Sequence, residues 1–170
     1  SAEIALVAMT LNAEVTYQDG EDDVVFDAGD FFIGPMLTLA PPSGCLVRIG
    51  FTKAPAICGT GFYEVAPRRS DYALASAAAQ ISANANGKIE KIHVGVGSVG
   101  DFPERLDVDA LLTSDLGDDT ISEVLHAAMA DIETVEDLHA SAAYRKRVGT
   151  ELAIRAVRDA LDEIQKGTRQ

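Results

Sequence analysis

The pattern of apolar and polar positions divides the chain into a mixed first half and a helical last third. Residues 2 to 11 read as a short helix. Ile4, Leu6, Val7, Ala8 and Leu11 fall on one broad apolar face, and Glu3 lies in the first turn, where an acid suits the helix dipole. The runs "AEVTY" (13–17) and "DVVFD" (23–27) flank "QDGED", an Asp-Gly turn between β-branched and aromatic residues, and predict a hairpin. "FDAGDFFIG" (26–34) predicts a short turn or helix, "LAPPSG" (39–44) a loop and "CLVRIGF" (45–51) a strand. Residues 53–60 read as a connector, and "GFYEVA" (61–66) as the start of another strand.

The alanine-rich run that follows is ambiguous by propensity, which favours a helix for "ALASAAAQIS" (73–82). Its context favours a strand over 72–83. "NANGK" (84–88) is a turn with glycine where a positive φ is needed, and "IEKIHVGVGSV" (89–99) alternates cleanly. Ile89, Lys91, His93, Gly95 and Gly97 share one face, and Ile92, Val94 and Val96 the other. A strand–turn–strand unit fits that length, and small side chains on the first strand would admit a closely packed helix. The last third predicts a short helix in "LDVDALLTSD" (106–115) and an acid-capped helix in "DDTISEVLHAAMADI" (118–132). A long amphipathic helix follows over 141–166, with Tyr144, Val148, Leu152, Ile154, Val157 and Leu161 as its apolar stripe. No internal repeat interrupts this plan.

Composition narrows the function classes. The 170 residues suffice for one compact domain or one and a half small ones, and 47% apolar with 24% charged residues is ordinary for a soluble globular protein. Asp plus Glu number 27 against 14 Lys plus Arg, a net charge of −13 that repels phosphate backbones and anionic membranes. Nucleic acid and membrane are therefore not expected partners, and no apolar run is long enough to span a bilayer. Cys45 and Cys58 match no zinc or iron–sulfur spacing and read as free thiols of a reducing cytosol. The chain opens inside an apolar pattern, which reads as a piece of a longer protein.

Several motifs fail on inspection. The acidic stretch "DGEDDVVFDAGD" (19–30) has Val24 where an EF-hand loop needs glycine and Asp30 where it needs a bidentate glutamate, so a solvated hairpin is expected. His93, His126 and His139 form no metal-binding pair. No Gly-x-Ser-x-Gly elbow is present. "GVGSVG" (95–100) runs into "DFPERL" rather than a helix, which suits a strand needing close backbone approach better than a dinucleotide loop. What remains is "PRRSDY" (67–72), where Arg68 and Arg69 stand out in an acidic chain. By physics alone it is an inter-strand loop whose Arg, Ser and Asp side chains can make charge-assisted hydrogen bonds.

Three stretches together resemble the flavin-binding medium subunit of the molybdenum hydroxylases, the family of the carbon monoxide dehydrogenase medium subunit and the xanthine dehydrogenase flavin domain. "SAEIALVAMTLNAEV" (1–15) resembles the helix and strand after the family's second glycine-rich flavin motif. "YEVAPRRSDYALASAAAQI" (63–81) with "IHVGVGSVGDFPERL" (92–106) resembles its Arg-Arg-x-Asp-aromatic-Ala loop and the strands that follow. "DLHASAAYRKRVGTELAIRAV" (137–157) is similar to its closing Ala-Ser-x-x-Tyr-Arg helix.

The resemblance implies an α+β fold. Residues 1–53 would be the C-terminal part of the second FAD-binding α/β subdomain, and 54–170 a C-terminal domain of small antiparallel sheet packed on helices. It implies a multi-subunit oxidoreductase in which electrons pass from a molybdopterin centre through 2Fe-2S clusters to FAD and on to NAD or another acceptor. The implied partners are an iron–sulfur subunit and a molybdopterin subunit, with a dimer of heterotrimers in the cytoplasm.

Carried over by position, Glu3 would lie near the FAD ribose and pyrophosphate, and Leu46 would touch the flavin. Glu64 stands where several members carry a flavin-contacting lysine. Arg68, Asp71 and Tyr72 would lie in the loop near the isoalloxazine. The family's two glycine-rich FAD motifs have no counterpart within the chain, so these residues alone are expected to bind FAD weakly or not at all. A non-catalytic assembly module that reuses the same C-terminal domain, and an unrelated α+β small-molecule-binding domain, are the alternatives.

Overall fold

The structure, a computed structural model, describes residues 3–68 and 70–167; Arg69 lies outside the described residues. It opens with helix α1 (Glu3–Thr10). The hairpin β1 (Glu14–Asp19) and β2 (Asp22–Asp27) follows, its turn carried by Gly20 at φ +67. Next come the single turn α2 (Ala28–Phe31), a two-stranded ribbon of β3 (Phe32–Gly34) and β4 (Leu37–Thr38), and β5 (Cys45–Gly50). Strand β5 pairs antiparallel with β1, giving a three-stranded sheet in the order β2-β1-β5. A small core of Ala8, Ala13, Val15, Ala28 and Phe31 lies under it, with Tyr17 and Phe26 against the Phe31 ring.

The second sheet is built from β6 (Ile57–Val65), β7 (Ala75–Ala83), β8 (Ile89–Gly97) and the short β9 (Glu104–Arg105), all antiparallel and in that order. A 3-10 turn (Asp109–Thr113), α3 (Asp118–Ala130) and α4 (Ala142–Gly167) complete the chain. The alanine-rich run is a strand, as its context predicts, beginning at Ala75 rather than residue 72. It is the best-covered strand of the sheet, with only Gln80 half-buried. Helix α4 covers one face, and α1 covers part of the other.

Small residues fix how close α4 comes. A Cβ placed on Gly59 or Gly61 would run into the backbone carbonyl of Ala160 or Ala156. Glycine is required at both for the helix to lie on β6 at that distance. This also explains why β6 starts at Ile57, inside the stretch that reads as a connector. "CGTG" has poor strand propensity, and its extended form is held by nine residue pairs to β7 and by α4. The buried stripe of α4 is correspondingly centred on Gly149, Ala153, Ala156 and Ala160 together with Leu152, Ile154 and Val157. Tyr144, Val148 and Leu161 flank it half-buried.

On the opposite face, a Cβ on Gly95 would strike Thr10 Oγ1, and one on Gly97 would crowd Ser76 Oγ. Gly95 and Gly97 of "GVGSVG" thus serve the approach of α1 to β8, as the strand reading expects. The "QDGED" hairpin and the "NANGK" turn, with Gly87 at φ +78, also form as predicted. Among the described residues no helix is long and apolar enough to cross a membrane. Both cysteines are free.

Candidate functional site

The loop after β6 rises from the sheet edge at Ala66 and returns at Leu74, whose amide donates to Val65 O at 2.7 Å. Within it Arg68 Nε donates to Asp71 Oδ2 at 3.1 Å, and Asp71 Oδ1 accepts the Tyr72 amide at 2.9 Å. These two bonds, the amide first, hold the Asp71 carboxyl below its ordinary range; the charge of His139 adds to them. The exposed ion pair contributes little stability. Ser70 sits at φ +63, a left-handed conformation that serine adopts at a cost. Tyr72 is 79% exposed.

This loop forms one wall of a cleft of about 730 Å³. The other wall comes from the segment between α3 and α4, with Val135, Asp137 and His139, and the floor from Ser98 and Gly100 at the end of β8. Arg145, in the first turn of α4, joins them. Its Nη1 donates to Leu74 O at 2.6 Å and to Ser98 O at 2.7 Å, and its Nη2 to Asp137 Oδ2 at 2.7 Å. Asp137 Oδ1 accepts the amides of His139 and Ala140, and these bonds with Arg145 lower the Asp137 pKa to about 2. Ser98 is left-handed at φ +59. Its Oγ and Arg145 Nε are buried from solvent without a protein partner, so neither presents a donor at the cleft surface. Ser141 caps α4 through the Tyr144 amide, which fixes where Arg145 begins its reach.

The six residues singled out in the sequence divide in two. Arg68, Asp71 and Tyr72 line this cleft together. Glu3 lies exposed at the start of α1, Leu46 is 45% exposed on β5 opposite Tyr17, and Glu64 is exposed on β6 opposite Ser76; none of the three lines it. Sequence reasoning missed Ser98, Asp137 and Arg145 and treated His139 as isolated. A signal for Arg145 was available, since it shares a helical face with Gly149, Leu152 and Ala156, an arginine on an apolar stripe. His93 is half-buried on β8; burial, then Arg105 and Lys91, push its pKa down, as suits a packed neutral histidine. Among the described residues no cluster of His, Cys, Asp and Glu is arranged to hold a metal ion.

Comparison with known proteins places this arrangement. The CO dehydrogenase flavoprotein C-terminal domain family matches residues 61–160, the sheet, the cleft and most of α4. The chain is 28% identical over 162 residues to the nicotine 6-hydroxylase medium subunit of Paenarthrobacter nicotinovorans, covering 94% of this chain and 56% of that protein. It is 28% identical over 163 residues to the glyceraldehyde dehydrogenase medium chain of Sulfolobus acidocaldarius, covering 94% and 57%. Reconstituted CO dehydrogenase from Oligotropha carboxidovorans shares the fold, with a TM-score of 0.85 at 23% identity over 94% of this chain and 56% of that one. The chain thus spans a little over half the length of the relatives it matches. With the matched region containing both walls of the cleft and the helix that ties them, the chain belongs to the CO dehydrogenase flavoprotein C-terminal domain family.

Proposed function

We propose that the chain is the C-terminal portion of the FAD-binding medium subunit of a molybdenum-containing hydroxylase or dehydrogenase, and that its cleft lies at the flavin. A bound FAD would supply two-electron and one-electron redox chemistry, taking electrons from 2Fe-2S clusters and passing them to NAD or another acceptor. The observation that carries this reading is the cleft itself. Within the family-matched residues, Arg68, Asp71 and Tyr72 stand together over a floor that the Arg145 bonds to Leu74 O and Ser98 O hold in place.

The residues present suit the ring end of such a group. Tyr72 offers an exposed aromatic face, and Arg68 and Asp71 set opposite charges at the rim. They do not suit a pyrophosphate. The glycine-rich segment 95–100 begins in strand β8, whose Gly95 and Gly97 pair with neighbouring strands and back onto α1, so its amides form no phosphate cradle. The nucleotide end would be held by residues outside this chain.

On this reading 1–53 completes the second FAD-binding subdomain and 54–170 is the C-terminal domain, with the break falling between the two sheets. Glu3 would stand toward the nucleotide only beside residues outside this chain, and Leu46, exposed on β5 away from the cleft, would make no ring contact. The relatives are a medium subunit and a medium chain, which supports partner subunits; that these carry iron–sulfur clusters and molybdopterin, in a cytoplasmic dimer of heterotrimers, is part of the proposal. A flavin-free assembly module is favoured by one feature, the exposed Glu64 at a position where relatives would carry a lysine.

Two measurements test the proposal. Flavin fluorescence titration of the 170-residue chain is expected to show weak or no FAD binding, and tight stoichiometric binding would refute the division of labour. The complete subunit is expected to co-purify with stoichiometric FAD, iron and molybdenum in its complex; a flavin-free, metal-free complex would establish the assembly-module reading instead.

A further inference from the structure

Arg145 is the only charged side chain fully buried among the described residues, at 6% exposure. A buried guanidinium is costly unless its donors are met, and its partners show what it does. The ladder between β7 and β8 ends at the Ser76–Gly97 pair. Just beyond it, the chains diverge into the two structures that shape the cleft, at Leu74 and at Ser98. One nitrogen of Arg145 donates to both carbonyls, clasping the strand ends where backbone pairing has stopped. Its other terminal nitrogen binds Asp137, and that carboxylate organises the turn carrying His139. A planar fork with several fixed donors can do this at once; a lysine ammonium cannot match the geometry.

We propose that Arg145 is a positioning residue that holds both cleft walls and its floor in one register, and so sets the placement of Arg68, Asp71 and Tyr72. Its meaning for cofactor binding rests on the flavin reading of the cleft; its effect on the walls does not. The left-handed Ser98 fits this role, because the bond to its carbonyl stabilises a backbone turn that serine would otherwise leave.

The test has two arms. In the 170-residue chain, hydrogen exchange is followed at the Leu74, His139 and Ala140 amides in Arg145→Lys, Arg145→Met and Asp137→Asn. Exchange is expected to rise at least about tenfold in Arg145→Met and less in Arg145→Lys, with the mid-sheet Ala79 amide unchanged. Asp137→Asn keeps an acceptor oxygen for the His139 and Ala140 amides but loses the bond to Arg145, so exchange at those two amides is expected to rise less than in Arg145→Met, with Leu74 spared. If Arg145→Met does not fold, Arg145→Lys and Asp137→Asn carry the test. Wild-type exchange at these three amides in a folded Arg145 variant would overturn the proposal.

In the complete subunit, the FAD dissociation constant is measured for Arg145→Met, Arg145→Lys and Tyr72→Ala. A rise of about tenfold in Arg145→Met, partly recovered in Arg145→Lys, supports positioning of the flavin contact. Faster wall exchange with FAD affinity unchanged in all three, Tyr72→Ala included, sustains the positioning role and sinks the flavin reading of the cleft.

Discussion

Replacing Gly61 with alanine probes one of the two close approaches of α4 to β6. The new Cβ would collide with the carbonyl oxygen of Ala156 and stand 2.7 Å from its carbonyl carbon and Cα, where ordinary contact begins near 3.4 Å. Strand and helix would have to part by more than the roughly 0.7 Å that the carbon contacts alone require, since the oxygen is nearer still, and neither has a rotamer to change, because both surfaces are backbone. The strand is tied by nine pairs to β7, and the helix by a buried stripe running from Gly149 to Ile164. Overpacking of this kind costs about 3 kcal/mol. The stiffer unfolded chain of alanine offsets about 0.4–1 kcal/mol. The net loss is about 2–3 kcal/mol, which at about 2–4 °C per kcal/mol lowers Tm by roughly 4–12 °C. Thermal melts followed by far-UV circular dichroism, with urea midpoints at 25 °C, measure it. Gly50→Ala is the control, because its Cβ would meet Glu14 Cβ at an ordinary 3.8 Å and should shift stability by under about 0.5 kcal/mol. A cooperative Gly61→Ala melt within 2 °C of wild type would refute the close α4–β6 contact.

Other predictions concern titrating groups. The Asp137 carboxyl, at about 2 in the fold against an ordinary 3.8, contributes stability that is complete above about pH 4 and lost as pH falls through 2. Asp137→Asn should therefore flatten part of the fall in urea midpoint between pH 5 and pH 2; identical pH dependence in both proteins would contradict this. Burial, and then the charge of Glu163, push the Cys58 thiol up, so it should react with Ellman's reagent more slowly than the exposed Cys45 at pH 8. Measured in a Cys45→Ser background, Glu163→Gln should speed the reaction of Cys58, and no acceleration would argue against that charge.

Period and turn chemistry made much of the secondary structure legible. The Asp-Gly and Asn-Gly turns, the alternation of Ile92, Val94 and Val96, and the acid-rich start of α3 are local signals that the fold left unchanged. The alanine-rich strand was legible only from its neighbours, since its own propensity points to a helix. The loop with Arg68, Asp71 and Tyr72 was legible because two arginines in an acidic chain are conspicuous. Glu3, Leu46 and Glu64 were drawn from the resemblance alone, and the structure sets them on other surfaces than the cleft.

The remaining features depend on distances that no local pattern encodes. Gly59 and Gly61 look like connector residues because their missing side chains lower strand propensity; only the arrival of α4, about a hundred residues later, gives their absence a use. Arg145 looks like one of three surface cations in "YRKR" until Leu74, Ser98 and Asp137 converge on it from separate segments. Sequence by itself determined most of the elements, the hairpins and the acidic balance of charge, because these follow from short-range periodicity and composition. Tertiary structure decided which helix lies on which strand and which charge is buried at the cleft, because those depend on residues far apart in the chain meeting at contact distance.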